Sequence, residues 1–180
     1  NAYAFTYVPA TLTVASRHLV ITPADKINVY GNVFTAFTGS IVGIQNGDNI
    51  TATYASLGAL STAAVDVYAI TATLNDPGNV LSNYTVTINT ASLTITHRDL
   101  VVTPDDKIKV YGDVFTAFTG TIMGVQNGDP ITATYTSPGA PTAAAVGNYP
   151  ITATLVDPSN KLDNYNVILS TGTLTVDSSM

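Results

Sequence analysis

The sequence predicts an all-β protein built as two tandem β-sandwich domains, and three observations carry that prediction. The first is a repeat. Almost every feature between Leu19 and Ile95 returns between Leu100 and Val176 at one fixed spacing, without an insertion. Tyr30-Gly31 reappears as Tyr111-Gly112, Gln45-Asn46-Gly47-Asp48 as Gln126-Asn127-Gly128-Asp129, Asp76-Pro77 as Asp157-Pro158, and Asn83-Tyr84 as Asn164-Tyr165. So long a period exceeds that of stacked solenoid repeats, so each copy is expected to be a small domain with its own core. The second observation is alternation of apolar residues with threonine at period two, the signature of half-buried strands. The third is the regular return of turn formers between those stretches.

Taken in order through the second copy, Leu100-Val101-Val102 opens the first strand, and Phe115 to Ile122 is expected to be another. Ile131, Ala133 and Tyr135 alternate with Thr132 and Thr134. Tyr149, Ile151, Ala153 and Leu155 point one way, with Pro150, Thr152 and Thr154 the other; Tyr68, Ile70, Ala72 and Leu74 do the same in the first copy. Tyr165, Val167 and Leu169 form a further face, followed by Leu174 and Val176, which makes six or seven short strands per copy. Tyr-Gly-Asp at 111–113, Asn-Gly-Asp at 127–129, Ser-Pro-Gly at 137–139 and Asp-Pro-Ser-Asn at 157–160 separate them. No window carries a 3.6-residue apolar stripe with caps, so the expected helix content is confined to a short turn near Val42–Asn46 and its copy at Met123–Asn127. Short strands with turns every 8–12 residues read as a sandwich, and Gly147-Asn148-Tyr149 is similar to the tyrosine corner of immunoglobulin-like folds. A β-grasp-like sheet is the second choice, and it would require a helix.

Residues 1–17 align at the same spacing with 82–98: Tyr3 with Tyr84, Leu12-Thr13-Val14 with Leu93-Thr94-Ile95, and Arg17 with Arg98. The expected organisation is therefore a strand remnant of a preceding repeat over 1–17, a first repeat over 18–97 and a second over 98–180. The remnant fits an array trimmed at this point. A sharper alternative is that residues 1–15 form a spare strand that adds to a neighbour's sheet edge and drives self-assembly. Leu93-Thr94-Ile95 runs through Thr96-His97-Arg98-Asp99 into Leu100-Val101-Val102 with no Gly/Ser linker, so little hinge freedom and a semi-rigid rod are expected.

Composition narrows the function classes. Only 10% of residues are charged and Glu is absent, while threonine takes over the solubilising role that charges usually have. Threonine suits strand surfaces because its branched Cβ sits well on a pleated sheet. A net charge of −6 with six Lys and Arg argues against nucleic acid, whose phosphates need clustered cations. With no Cys there is no disulfide framework, thiol nucleophile or Cys-ligated zinc. No segment approaches 18 uninterrupted apolar residues and no signal-like leader opens the chain, which reads as a mature product or a piece of something longer.

The ordered set of landmarks points to a family. Tyr-Gly-Asn/Asp at 30–32 and 111–113, Phe-Thr-Gly at 37–39 and 118–120, Asn-Gly-Asp at 46–48 and 127–129, Gly-Asn-Tyr-Pro-Ile-Thr-Ala at 147–153, Asp-Pro with Asn-Tyr across 76–84 and 157–165, and the closing Leu-Thr-Ile/Val resemble the MBG repeats of YGX type. The resemblance covers nearly the whole chain. It implies a secreted, non-enzymatic, all-β module of bacterial cell-surface proteins and large adhesins, one that forms stalks or contributes to cell adhesion. It carries no catalytic residue to transfer. The first copy departs from the pattern where Asp66-Val67 replaces the usual Gly-x before Tyr68.

Candidate sites remain few. The paired carboxylates of a glycoside hydrolase have candidates in Asp76/Asp157 and Asp48/Asp129, yet each sits in turn chemistry where its side chain caps backbone. His18 and His97 do not align with one another and make a poor zinc pair. Calcium is the one ion the acidic loops suit: Asp105 and Asp106 with Asp129, or Asp157 with Asn160 and Asp163, offer hard oxygen ligands, although no EF-hand or nonapeptide spacing holds them. The tyrosines at 30, 54, 68 and 84 recur in the second copy and are expected inside, on inward positions of strands, with each hydroxyl satisfied at the sheet edge. Lys26/Lys107 with Asn83/Asn164 are the residues an isopeptide cross-link would use. Eight differences between the copies cluster within 55–69, including Leu57→Pro138, Leu60→Pro141 and Asp66-Val67→Gly147-Asn148. These are the candidate contact-loop positions, for a ligand or a neighbour.

Three functions follow in order of support. The first is a stalk module whose partners are neighbouring repeats. The second is a carbohydrate- or mucin-binding module using the 55–69 and 136–150 loops on surface glycans. The third is a filament subunit that donates residues 1–15.

Overall fold

The computed structural model describes residues 1–178, so the last two positions of the second expected repeat lie outside it. Within those residues the chain is all-β, and each copy contributes seven strands in one order. The first copy supplies β1 (Arg17–Pro23), β2 (Lys26–Val29), β3 (Gly39–Val42), β4 (Thr51–Ala55), β5 (Val67–Asn75), β6 (Tyr84–Ile88) and β7 (Ala91–Thr96). The second supplies β8 (Arg98–Pro104), β9 (Lys107–Val110), β10 (Gly120–Met123), β11 (Thr132–Thr136), β12 (Gly147–Val156), β13 (Tyr165–Leu169) and β14 (Gly172–Asp177). Each copy forms a three-stranded and a four-stranded sheet: β3-β1-β6 with β2-β7-β5-β4, then β10-β8-β13 with β11-β12-β14-β9. Among the described residues the helical content is three single 3₁₀ turns at Leu57–Ala59, Leu81–Asn83 and Leu162–Asn164, so the helix a β-grasp needs is missing.

The second copy shows how the sandwich closes. Strand β8 pairs antiparallel with β10 and parallel with β13, and β14 pairs antiparallel with β12 and parallel with β9. Leu100 and Val102 of β8, Ile151 of β12, and Leu174 and Val176 of β14 are all essentially inaccessible to solvent. Alternation explains this, because residues two apart on a strand share a face. Truncating such a residue, Leu100→Ala for instance, is expected to cost about 2–5 kcal/mol. Tyr149 Oη donates to the Ala145 carbonyl at 2.9 Å, four residues upstream, as a tyrosine corner does.

By compactness, one unit contains residues 1–24, 37–55 and 70–91, and the other contains 25–36, 56–69 and everything from Ser92 onward. The core of the first unit is Leu19, Ile21, Ile50 and Tyr84, with Ala52, Tyr54, Ala72 and Leu74 packed against it. The second unit therefore includes β2 with its turn, the 56–69 loop and nearly all of β7 from the first copy as well as the whole second copy.

Several local expectations fail for physical reasons. No helical turn forms at Val42–Asn46 or Met123–Asn127. Gly43 and Gly124 adopt φ +109° and +101°, where an added Cβ would collide with the carbonyls of His18 and Asp99. Asn46-Gly47 and Asn127-Gly128 then take positive φ in succession, the conformation of a type I′ turn, closed by Asp48 N–H to the Gln45 carbonyl and Asp129 N–H to the Gln126 carbonyl, both at 2.9 Å. The strand expected over Phe115–Ile122 begins only at Gly120. Residues 111–119 cross from the sheet of β9 to that of β10, so they cannot ladder along their length. The Tyr165/Val167/Leu169 face is buried only at Tyr165, because β13 is an edge strand whose later residues face solvent. Residues 1–16 lie outside any strand and are exposed throughout.

Candidate functional site

The residues shared by both copies converge at one end of each sandwich. In the second copy, Arg98 opens β8, the Asn-Gly turn presents Gln126, Asn127 and Asp129, and the 3₁₀ turn before β13 delivers Asn164 and Tyr165. Tyr165 Oη donates to Asp129 Oδ2 at 2.6 Å and accepts the Gln126 N–H at 2.9 Å. Burial raises the Tyr165 hydroxyl well above its ordinary value of 10.0, and the Asp129 carboxylate pushes it the same way. A buried phenol hydrogen-bonded to a carboxylate resists losing its proton, because the product would be two adjacent anions.

Within the same compact unit, the 25–36 turn and 56–69 loop of the first copy sit on this end. Tyr30 is 2% exposed and its Oη donates to the same Asp129 oxygen at 2.9 Å. Its ring meets Tyr165 edge-on, with centroids 5.4 Å apart and planes at 79°. Burial raises the Tyr30 hydroxyl, with Asp129 reinforcing the shift and Asn127 opposing it. Arg98 donates to the Tyr30 carbonyl at 3.0 Å and to Asn32 Oδ1 at 2.7 Å. Asn127 donates to the Ser61 carbonyl and Asn164 accepts the Val65 N–H, both at 2.9 Å. Gly31, at φ +89°, lies so close to the Gln126 side chain that a Cβ would stand 2.7 Å from Gln126 Cβ.

The matching end of the first copy lies in the other compact unit and is open. Tyr84 Oη donates to Asp48 Oδ2 at 2.6 Å and accepts the Gln45 N–H at 3.0 Å, so the inner half of the arrangement is preserved. That Asp48 hydrogen bond is the main reason the Tyr84 hydroxyl is raised. Arg17, Asn46 and Asn83, the counterparts of Arg98, Asn127 and Asn164, are exposed around a cleft of about 350 Å³.

The carboxylates read from the sequence as calcium ligands are separated. Asp105 takes a hydrogen bond from the Thr119 hydroxyl and lies 3.5 Å from Lys107, and both hold its carboxyl below the usual range. Asp106 accepts the Thr173 N–H at 2.6 Å. Asp157 accepts the Leu162 N–H at 2.8 Å, and the backbone N–H groups of Lys161 and Leu162 keep it below its ordinary value. Asp163 sits exposed in the 3₁₀ turn, and Asp129 serves the two tyrosines. Among the described residues no three His, Cys, Asp or Glu side chains gather as a metal-ligand group. The first-copy carboxylates have the same kind of work: Asp76 accepts the Leu81 N–H at 2.8 Å, and Asp48 holds Tyr84.

The contact-loop candidates Leu57, Leu60, Asp66, Pro138, Pro141 and Asn148 are all exposed. The tyrosines divide more sharply than expected. Tyr30, Tyr84 and Tyr165 are buried, whereas Tyr111 is 50% exposed, and both Tyr30 and Tyr111 lie in the turn just past a strand rather than on one. Lys107 pairs with Asp105, and Asn164 is hydrogen-bonded to Val65 N–H and the Lys161 carbonyl, so they are not poised to cross-link. The buried lysine is one the sequence reading passed over: Lys109 donates to the carbonyls of Asp113, Ala140 and Pro141 and ties the turn after β9 to the 137–141 loop.

The profile of the MBG domain (YGX type) matches residues 19–94 and again 100–175. The chain belongs to this family. Each domain of the tandem thus carries the Tyr-Gly turn and the Asn-Gly-Asp/Asn-Tyr end just described. No curated protein matches it. Among solved structures it is similar to Drosophila N-cadherin EC1-3, at 11% identity and TM-score 0.32 over 92% of this chain and 70% of that one. It is also similar to Sidekick-1 immunoglobulin domains 1–4, at 15% identity and TM-score 0.30 over 86% and 50%. The titin I9-I11 tandem matches at 13% identity and TM-score 0.28 over 89% and 66%. Among the described residues no helix is long and apolar enough to cross a membrane.

Proposed function

We propose that this MBG tandem is a non-enzymatic structural segment of an extracellular surface protein, a stalk module that fixes each domain against the next. One observation carries the reading: the Tyr30 turn of the first copy is seated on Asp129, Tyr165 and Arg98 of the second. A linker that only tethers domains needs no such contact. Aromatic and arginine anchors in a desolvated seat are the groups that dominate interface energetics. The bacterial cell surface is the setting that the family's adhesin architecture suggests.

Stretching the chain between its ends tests this. The wild type should resist to a higher force than Tyr30→Ala, and equal unfolding forces would sink the mechanical role. A glycan-binding reading rests on the 55–69 and 136–150 loops. The first of these loops supplies Ser61 and Val65 to the neighbouring end, which favours a neighbour contact over a sugar there. Binding on a glycan array that disappears on replacing the 136–150 loop would reverse that preference. Calcium forms no part of the proposal: thermal midpoints in calcium and in chelator should coincide.

A further inference from the structure

The junction inside the second compact unit has two matched halves, and each half recurs once more, uncovered among the described residues. The open end of the first copy presents Arg17, Asn46, Asp48, Asn83 and Tyr84 around the 350 Å³ cleft. The Tyr111-Gly112 turn of the second copy matches Tyr30-Gly31, yet Tyr111 is 50% exposed, and space for a Cβ at Gly112 is open. Thr142 and Val146, counterparts of Ser61 and Val65, are exposed beside it. We propose that the cleft is a socket for the Tyr111 turn of a second copy of this chain, so that copies associate head to tail. This goes beyond the stalk reading while using the same kind of contact.

The occupant follows from continuity with the junction already described. Tyr111 Oη would donate to Asp48, as Tyr30 Oη does to Asp129. Asn46 would meet the Thr142 carbonyl and Asn83 the Val146 N–H, as Asn127 and Asn164 meet Ser61 and Val65. One substitution between the copies favours the fit. Asn32, which accepts from Arg98, becomes Asp113 in the second copy, so Arg17 would face a carboxylate. An Arg–carboxylate contact is stronger than an Arg–amide one. Among the described residues no hydrogen bond or ion pair to the Arg17 side chain is present.

The docked turn would bring its own closing strand. Tyr111 N–H bonds the Asp177 carbonyl at the end of β14 at 2.8 Å, as Tyr30 N–H bonds Thr96 at the end of β7 at 3.0 Å. Residues 10–15 align with β7, and Val14 and Ala15 form one wall of the cleft, so on docking they give way to the incoming β14. A socket on one face and a turn on another make a heterologous interface, which propagates rather than closing on itself.

The test is sedimentation of the full chain at concentrations up to about 1 mM, the effective concentration a short covalent link gives such a contact. Oligomers should grow with concentration. Tyr111→Ala and Arg17→Glu should each weaken association by about tenfold or more, as loss of an anchor does. Both positions are solvent-accessible, so thermal midpoints should stay unchanged and separate lost docking from lost folding. Mixing the two variants should restore 1:1 dimers that extend no further, because each retains the half the other lacks. Deleting residues 1–13 should leave association intact. Absence of association at every concentration overturns the proposal while leaving the stretching test of the stalk untouched. Loss of association on the deletion alone overturns it in favour of strand donation.

Discussion

Tyr30 and Tyr111 occupy the same position in two copies of one sequence, yet one is buried at 2% exposure and the other stands half exposed. Their flanking residues are nearly identical: Val-Tyr-Gly-Asn-Val-Phe against Val-Tyr-Gly-Asp-Val-Phe. What separates them is a neighbour. Tyr30 lies on Asp129 and Tyr165, while no ring contact or hydrogen bond to the Tyr111 side chain is present among the described residues. The burial of this residue is thus a property of the array rather than of the domain. The sharpest way to break the comparison is Tyr30→Ala, which removes a fully packed ring and strands Asp129 with one donor. We expect a loss of about 3–5 kcal/mol in chemical denaturation, the usual cost of deleting a buried aromatic. Tyr111→Ala should stay within about 1 kcal/mol, as surface changes do. Equal losses would mean that Tyr111 is covered in solution.

The carboxylates beneath give the second contrast. Asp129 accepts from Tyr30 and Tyr165, whereas Asp48 accepts from Tyr84 alone among the tyrosines. Hydrogen bonds to charged groups contribute about 1.5–3 kcal/mol, so Asp129→Asn should destabilise by about 2–3 kcal/mol and Asp48→Asn by about 1.5 kcal/mol. Next comes the glycine pair. Gly31 and Gly112 both hold φ near +90°, so alanine strains each by about 1 kcal/mol. Gly31→Ala should lose about 1 kcal/mol more, since its Cβ would press on Gln126 where Gly112 meets nothing within 4 Å.

The repeat and the all-β fold were legible in the sequence while the junction stayed hidden, for one physical reason. Strand periodicity and turn chemistry are local, so Leu100-Val101-Val102 could be read as a strand, Leu174 and Val176 set on one face from spacing alone, and Asn-Gly-Asp at 127–129 read as a turn. Which tyrosine of an identical pair is covered depends on a partner far along the chain, and no local pattern encodes it. Asp129 was legible only as a loop carboxylate suited to a hard cation, because its two phenol donors lie far away in sequence. Met123–Asn127 looked capable of a helical turn because its composition permits one. Gly124 instead takes a φ of +101° close beside the Asp99 carbonyl of β8, and that approach is set by a strand far away in sequence. A signal for the junction was present all the same. Tyr-Gly, Asn-Gly-Asp and Asn-Tyr, each repeated unchanged, are among the residues that meet there.

The smallest effect is fully present at neutral pH and is lost only in alkaline solution. Tyr30 and Tyr165 have hydroxyls raised above 10.0, by burial first and then by Asp129, while Tyr84 is raised chiefly by its Asp48 hydrogen bond. A phenol whose pKa is higher when folded binds its proton more tightly in the folded state. Its contribution is therefore complete below the unfolded value near 10 and is lost as pH rises toward the folded value. Thermal stability should be flat from neutral pH to about pH 9 and should fall above about pH 10, where the unfolded chain alone releases these protons. The decline should be shallower in Tyr165→Phe, which removes the titrating hydroxyl but keeps the ring against Tyr30. If Tyr165→Phe leaves the alkaline limb as steep as in the wild type, the seat on Asp129 is not what ties stability to these protons.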